Sequence, residues 1–337
     1  MGVFRRSMVI VFMLTGSFTC PAVFKGDAVD LIQNIENSER KITDMQARVR
    51  WYHDSAGNYV DYEWAYKNGM EYRKTSNKYT LNKKEGVADL PIEQISFNGE
   101  KQFAYASSSD RSVQRGGVYG VDMRVFAASL MPRVLLGYDL LDTLSDKMKK
   151  AEEVSVLEQE EIIGDHRCTV VEVRNLQLDK TVDYSQNLKV WIDCERDYRP
   201  LKIEVYRNSD PSLPWNSLIR RIHNIKLTNI SGIWFPVSGD IEYYKTGYVI
   251  KSDGRDVSHL SVQEAEGLFG KMTQEQVSEV VDKRPILRGE VQRIEVFDIR
   301  LNEGIDDQEF VIQFPKGCIV WDDFLQYGYQ VGSNKVD

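Results

Sequence analysis

The stretch "VWIDCERDYRPLKIEVYR", residues 190–207, decides the fold class. It reads as a strand, a polar turn and a second strand. Val190, Ile192 and Cys194 fall on one face and Trp191 and Asp193 on the other, the period-two pattern of a strand with two unlike sides. Pro200 and Leu201 open the return strand, and a connection this short makes the two strands antiparallel neighbours. What the buried face packs against, protein or ligand, is the functional question.

The same alternation extends outward in both directions. "ARVRWYHDSAGNYVDYEWAYKNGMEYRKTS", residues 47–76, breaks at 55–58 and again at Asn68-Gly69, a dipeptide suited to a two-residue hairpin turn. Asn98-Gly99 marks another turn. Further strands are expected at about 153–163, 167–175, 188–194, 200–207, 218–230, 234–245, 290–301 and 310–314. Helical spacing occurs in few places. Val29, Ile32, Ile35 and Ile42 form one amphipathic stripe that Asp27 caps, and residues 122–144 read as two short helices. "TQEQVSEVVDKRP", residues 273–285, predicts a further helix inside a helical insertion at about 261–289. No Pro/Gly-rich linker divides the chain, so residues 27–337 are read as one domain.

Composition agrees with a mainly β protein: aromatics make up 11% of the residues, with 17 Tyr and 6 Trp spread along strand-like segments. The formal charge of −8 and the lack of a basic cluster argue against nucleic acid as a partner. Residues 1–22 have the order of a secretory signal, with Arg5 and Arg6 ahead of a short apolar run from Met8 to Leu14. Cleavage after Ala22 predicts a periplasmic protein and is preferred to lipid anchoring at Cys20. Of the remaining cysteines, Cys168 and Cys194 lie on consecutive antiparallel strands and form a disulfide if the register brings them opposite each other. No metal-ligand spacing accompanies them, and no cofactor is expected.

Histidines at 53, 166, 223 and 259 stand without a carboxylate or cysteine at ligand spacing, and no nucleophile elbow, Walker loop or dinucleotide fingerprint occurs. The chain is therefore not expected to be an enzyme. What it offers is apolar lining. Ala47, Val49 and Trp51 share a face of one strand, and Val60, Tyr62, Trp64 and Tyr66 a face of the next. A large curved sheet exposes more apolar area on its concave side than one or two helices cover. The expected ligand-binding set is Val49, Trp51, Tyr62, Trp64, Tyr66, Ile192 and Trp234, with Phe126 and Leu130 on the 122–144 segment as lid or plug.

The signal, the opening helix, "VWIDCERDYRPLKIEVY", "NIKLTNISGIWFPVSGDIEYY" and the closing "FVIQFPKGCIVWDD" together resemble the LolA-like outer-membrane lipoprotein carrier superfamily, in particular its large members with a strand-rich C-terminal extension. The resemblance implies a strongly curved, unclosed antiparallel half-barrel that wraps helices. It implies lipid or lipoprotein acyl chains as ligand, held in the concavity by a monomer with no enzymatic role. An envelope sensor or scaffold that binds a partner protein with the same sheet is the alternative. Carriers of this family gate their lid with an arginine near the cavity; Arg48, Arg50 and Arg73 all lie in strands, and no motif selects among them.

Overall fold

The computed structural model describes residues 23–24, 26–52, 57–76, 92–107, 114–120, 132–138, 142–177, 185–208, 217–257, 267–268, 270, 276 and 279–332. Signal residues 1–22, His53, His259, Phe126 and Leu130 lie outside these, as does most of 261–280.

Two helices, α1 (Gly26–Glu39) and α2 (Leu144–Lys150), accompany eighteen strands among the described residues. The strands are β1 (Val23–Phe24), β2 (Asp44–Tyr52), β3 (Tyr59–Lys67), β4 (Met70–Ser76), β5 (Ile92–Phe97), β6 (Lys101–Ser107), β7 (Gln114–Gly120), β8 (Glu153–Val156), β9 (Glu161–Ile163), β10 (His166–Leu176), β11 (Ser185–Asp193), β12 (Arg199–Asn208), β13 (Leu218–Ile230), β14 (Ile233–Ile250), β15 (Val281–Leu287), β16 (Gln292–Leu301), β17 (Ile319–Asp322) and β18 (Tyr327–Gln330). Read from strand to strand, the sheet runs β18-β17-β7-β6-β5-β4-β3-β2-β16-β14-β13-β12-β11-β10-β8-β1. Its pairings are antiparallel except β1 with β8 and β7 with β17. Edge strands β18 and β1 do not pair with each other, so the sheet curls without closing.

Local chemistry sets the hairpins. Asn68 and Gly69 both have positive φ, 48° and 83°, and Ser231-Gly232 repeats the geometry between β13 and β14 at 52° and 86°. A two-residue turn of this kind matches the twist of the strands it joins. It also fixes register: Lys67 faces Met70, Tyr66 faces Glu71 and Trp64 faces Arg73.

One continuous core lies on the concave side. Val49, Tyr62, Val296, Phe235, Ile222, Val205, Val190 and Val171 come from eight strands and meet Ile35 of α1, Met148 of α2 and the 3-10 turn Pro132–Leu136. Helix α1 buries Ala28, Leu31, Ile32 and Ile35, the i, i+3, i+4, i+7 spacing of one helical face. Val29, placed on that stripe by the sequence pattern, is exposed because the buried face is centred one residue earlier. At roughly 1.5–3 kcal/mol per large aliphatic side chain, this face contributes several kcal/mol to holding the helix inside the sheet. The 3-10 turn comes equally close to β14: a Cβ on Gly239 would stand 2.6 Å from Leu135 Cδ2, so only glycine lets Leu135 seat there.

The convex face carries smaller clusters. Cys168, Val170, Trp191 and Leu201 pack together, and Trp191 Nε1 donates to Glu161 Oε2 at 2.8 Å from the short β9. Beyond β16 the chain crosses to the outside of the sheet, where Ile305 and Phe310 pack on Ala65.

Three expectations are corrected. Cys168 and Cys194 are free thiols. The register pairs Thr169 with Ile192, so Thr169 and Cys194 share the concave side while Cys168 points outward, and the two sulfurs cannot meet. Within the expected helical insertion, residues 281–287 form strand β15, which extends the sheet along the second half of the eighteen-residue β14. Residues 310–314 are not a strand: Phe310 ends a 3-10 turn, and the last two strands follow instead at 319–322 and 327–330.

Candidate functional site

The turn between β11 and β12 is a clamp. Buried Asp193 accepts from the Glu195 backbone N–H at 3.0 Å and from Arg196 Nη1 at 2.7 Å, which fixes the turn's start. Asp197 accepts from Lys41 Nζ at 2.5 Å and from the Trp234 backbone N–H at 2.8 Å. Arg199 donates from Nε to the Trp234 carbonyl at 2.8 Å and from Nη2 to the Ser38 carbonyl at 3.2 Å. The turn thus ties the C-terminal end of α1 to the start of β14, and the Arg196 guanidinium lies 5.1 Å from the Trp234 ring centroid. Those contacts place Trp234, in the expected ligand-binding set, at the start of β14 beside this turn.

On the concave side, Val49, Tyr62, Trp64 and Ile192 are buried in the main core, with Trp51 and Tyr66 half-buried against it. A charged group sits among these rings. Trp64 Nε1 donates to Glu71 Oε1 at 2.6 Å, and Arg133 Nη1 approaches Glu71 Oε2 at 3.3 Å, with both partners' side chains only 5% exposed. The Arg133 guanidinium lies 4.4 Å from the Tyr66 ring centroid and 5.7 Å from that of Tyr138, and Arg73 lies 5.6 Å from that of Tyr62. This pair fastens the 3-10 turn over the aromatic stripe. Of the three arginines the sequence left open, Arg73 alone reaches this side. Arg48 pairs with Asp298 at 3.3 Å, and Arg50 pairs with Asp61 at 2.8 Å.

Arg133 and Glu71 were missed as candidates, although Glu71 had a signal. The Asn68-Gly69 turn places Glu71 opposite Tyr66 and Arg73 opposite Trp64, so two charged residues occupy an inward face. Nothing local marks Arg133, because its partner is 62 residues away.

Further along the concavity a groove of about 620 Å³ remains between α2 and the far ends of β10 to β14. Leu176, Leu188 and Val205 form its apolar floor, and Ile219 and Tyr243 line its wall. A larger groove of about 840 Å³ lies on the convex face, but its lining is charged with both signs, and Arg48 with Asp298 and Arg300 with Glu303 pair within it. The concave groove differs in having a contiguous aliphatic floor, with Lys147, Gln186, Arg207, Arg220, Arg288 and Gln292 around it.

Burial pushes the Cys168 thiol up to about 12 and raises those of Cys194 and Cys318, the reverse of what a nucleophilic thiolate requires. Among the described residues, no group of three His, Cys, Asp or Glu side chains could hold a metal ion, and no helix is long and apolar enough to cross a membrane.

No family model matches the chain, and no curated protein matches it significantly. Among solved structures it is similar to a DUF1329 family protein from Desulfovibrio piger, at 13% identity over 85% of this chain and 96% of that one, with a TM-score of 0.45. An outer membrane lipoprotein-sorting protein domain from Vibrio parahaemolyticus matches at 12% identity over 84% and 97%, with a TM-score of 0.44. The lipoprotein LppX from Mycobacterium tuberculosis matches at 14% identity over 55% and 91%, with a TM-score of 0.28. The architecture described above rests on this chain's own pairings and core.

Proposed function

We propose that this chain is an envelope protein that holds lipid or lipoprotein acyl chains in the concavity of its curved sheet, in the manner of a carrier or chaperone and without catalysis. The observation behind this reading is the concave groove, floored by Leu176, Leu188 and Val205 and bordered among the described residues by α2. In this reading the aromatic stripe of Val49, Trp51, Tyr62, Trp64 and Tyr66 is the covered continuation of the same surface, and the Pro132–Leu136 turn is its lid. Apolar burial at ~25 cal/mol per Å² would drive binding, which favours broad chain specificity. The signal-like residues 1–22 support export to the periplasm.

Native mass spectrometry of the purified protein tests it: co-purifying lipid or detergent is expected, released when the groove is filled by Ile219→Trp. A clean apo mass together with no uptake of a fluorescent fatty acid by the native chain would overturn it.

One observation favours a second reading, a sensor or scaffold. The β17–β18 hairpin at the sheet edge exposes Ile319, Trp321, Phe324 and Leu325, each between 46% and 60% accessible. A protein partner captured from envelope extracts that survives delipidation and is lost on Trp321→Ser would support it.

A further inference from the structure

We infer that the β17–β18 hairpin docks this protein on the surface of a zwitterionic phospholipid bilayer, with Trp321, Phe324 and Leu325 entering the interface. Docking there does not depend on the acyl groove, which lies at the other end of the sheet.

The observation is an exposure that the fold enforces. Ile319, Trp321, Phe324 and Leu325 are 60%, 46%, 51% and 50% accessible, whereas Val320 is fully buried in a convex cluster with Val118 and Cys318. Alternation puts Ile319 and Trp321 on the opposite face. The register identifies that face as the concave one: Trp64 stands opposite Arg73, Arg73 opposite Ile95, Ile95 opposite Ala104, Ala104 opposite Gly117 and Gly117 opposite Trp321. Trp321 therefore shares a cross-strand row with buried Trp64, but near the sheet edge it is left half exposed. The turn that follows is tied down. Asp322 Oδ1 accepts from the backbone N–H of Phe324 at 2.9 Å and of Leu325 at 3.2 Å, and Asp323 Oδ1 accepts from Trp321 Nε1 at 2.7 Å. The Asp323 N–H donates to the Val118 carbonyl of β7 at 3.0 Å, and the Gln326 N–H to the Asp322 carbonyl at 2.8 Å. These bonds hold two adjacent apolar residues at the tip, so their exposure belongs to the fold and not to a frayed loop.

Area and charge select the occupant. A fully exposed aromatic side chain offers about 200 Å². Four large side chains at half exposure then present roughly 350 Å², well under the ~800 Å² per partner of a stable protein interface. Insertion into a bilayer has no such threshold, and a tryptophan behind a Phe-Leu tip suits its depth profile, with the indole at head-group level and the tip below. Among the described residues, Lys101, Arg115 and Lys316 border the hairpin on the basic side and Glu100, Asp322 and Asp323 on the acidic side. The tip is thus neutral on a chain of net −8, which an anionic surface would repel. Zwitterionic head groups meet both signs, and Lys101 Nζ, 4.3 Å from the Phe324 ring centroid, stands where a lipid phosphate would lie.

The test floats the purified full chain with vesicles of phosphatidylethanolamine and phosphatidylcholine. The native chain is expected to float, with a partition coefficient that added salt changes by less than about twofold. Phe324→Ser/Leu325→Ser should lower that coefficient about tenfold or more, with an unchanged denaturant midpoint, since both side chains already face solvent. Trp321→Ser should lower it in part. Ile219→Trp, which fills the groove at the far end of the sheet, should float as the native chain does. Failure of the native chain to float, or equal floating by the tip variant, would overturn the docking and leave the acyl reading standing. Floating without uptake of a fluorescent fatty acid would support the docking and count against the acyl reading alone. A native dimer that the tip variant abolishes, with no floating, would assign the hairpin to a second copy of the chain and overturn the proposal.

Discussion

Replacing Arg133 with methionine tests whether the buried Arg133–Glu71 pair pins the 3-10 turn over the aromatic stripe. Methionine keeps much of the side-chain volume and a favourable contact with the Tyr66 ring, but it removes the guanidinium that stands 3.3 Å from Glu71. Both side chains are 5% exposed, so little water can take the arginine's place. An uncompensated buried charge costs ~3–5 kcal/mol, a large part of the ~5–15 kcal/mol by which most domains are stable. For a chain of 337 residues, an unfolding entropy of about 2.1 cal/mol/K per residue gives roughly 0.7 kcal/mol/K, hence a thermal midpoint lower by about 4–7 °C. The partner variant is Glu71→Gln, whose amide oxygen still accepts from Trp64 Nε1. In the double variant the stranded charge is gone, and the loss should shrink to about 1–2 kcal/mol, a coupling of at least ~2 kcal/mol. Denaturant unfolding of the four proteins measures this. Stopped-flow uptake of a fluorescent acyl probe links it to function, since a turn released from its anchor should admit the probe faster. A loss below about 1 kcal/mol in Arg133→Met, or single losses that simply add, would refute the reasoning.

Glu39 accepts from the backbone N–H of Ser145 at 3.2 Å and from its hydroxyl, and burial, the largest cause, raises its carboxyl above the ordinary 4.5. A carboxyl raised in the fold contributes stability that is present below about 4.5 and lost as pH climbs through the folded value, so Glu39→Gln should be near neutral at pH 4 and stabilising at pH 7 by denaturant titration. Cys168 and Cys194 should remain reduced in the purified protein, and a thiol count on the unfolded protein with and without reductant should give the same number; one fewer pair without reductant would overturn the register described here. Phe310→Ala should cost ~3–5 kcal/mol by emptying the cluster on Ala65 and Ile305, and hydrogen exchange should show the loss concentrated in the outer segment near residues 303–312 and in β4.

Much of the fold is local and so can be read in the sequence. Alternation identifies the strands from Ala47 to Lys67 and from Cys168 to Tyr206, because a sheet with unlike faces requires it. The Asn68-Gly69 turn carries register as well, since its two positive-φ residues allow only one pairing of β3 with β4. The curved, unclosed form of the sheet and the helix inside it come from the family resemblance and not from the alternation, which identifies strands without saying how they curl. What the sequence leaves open depends on one-residue offsets and on partners far along the chain. Cys168 and Cys194 occupy consecutive strands, but the Thr169–Ile192 pairing turns their sulfurs to opposite sides. Strand β15 has a helix-like pattern with a proline, and it becomes a strand because the second half of β14 offers it an edge. Arg133 meets Glu71 across 62 residues, and Val205, Arg220 and Tyr243 come side by side only once two separate registers are set. Propensity and periodicity act over a few residues, whereas the place where charges meet an apolar floor is fixed by how the strands are stacked, and only the tertiary structure decides that.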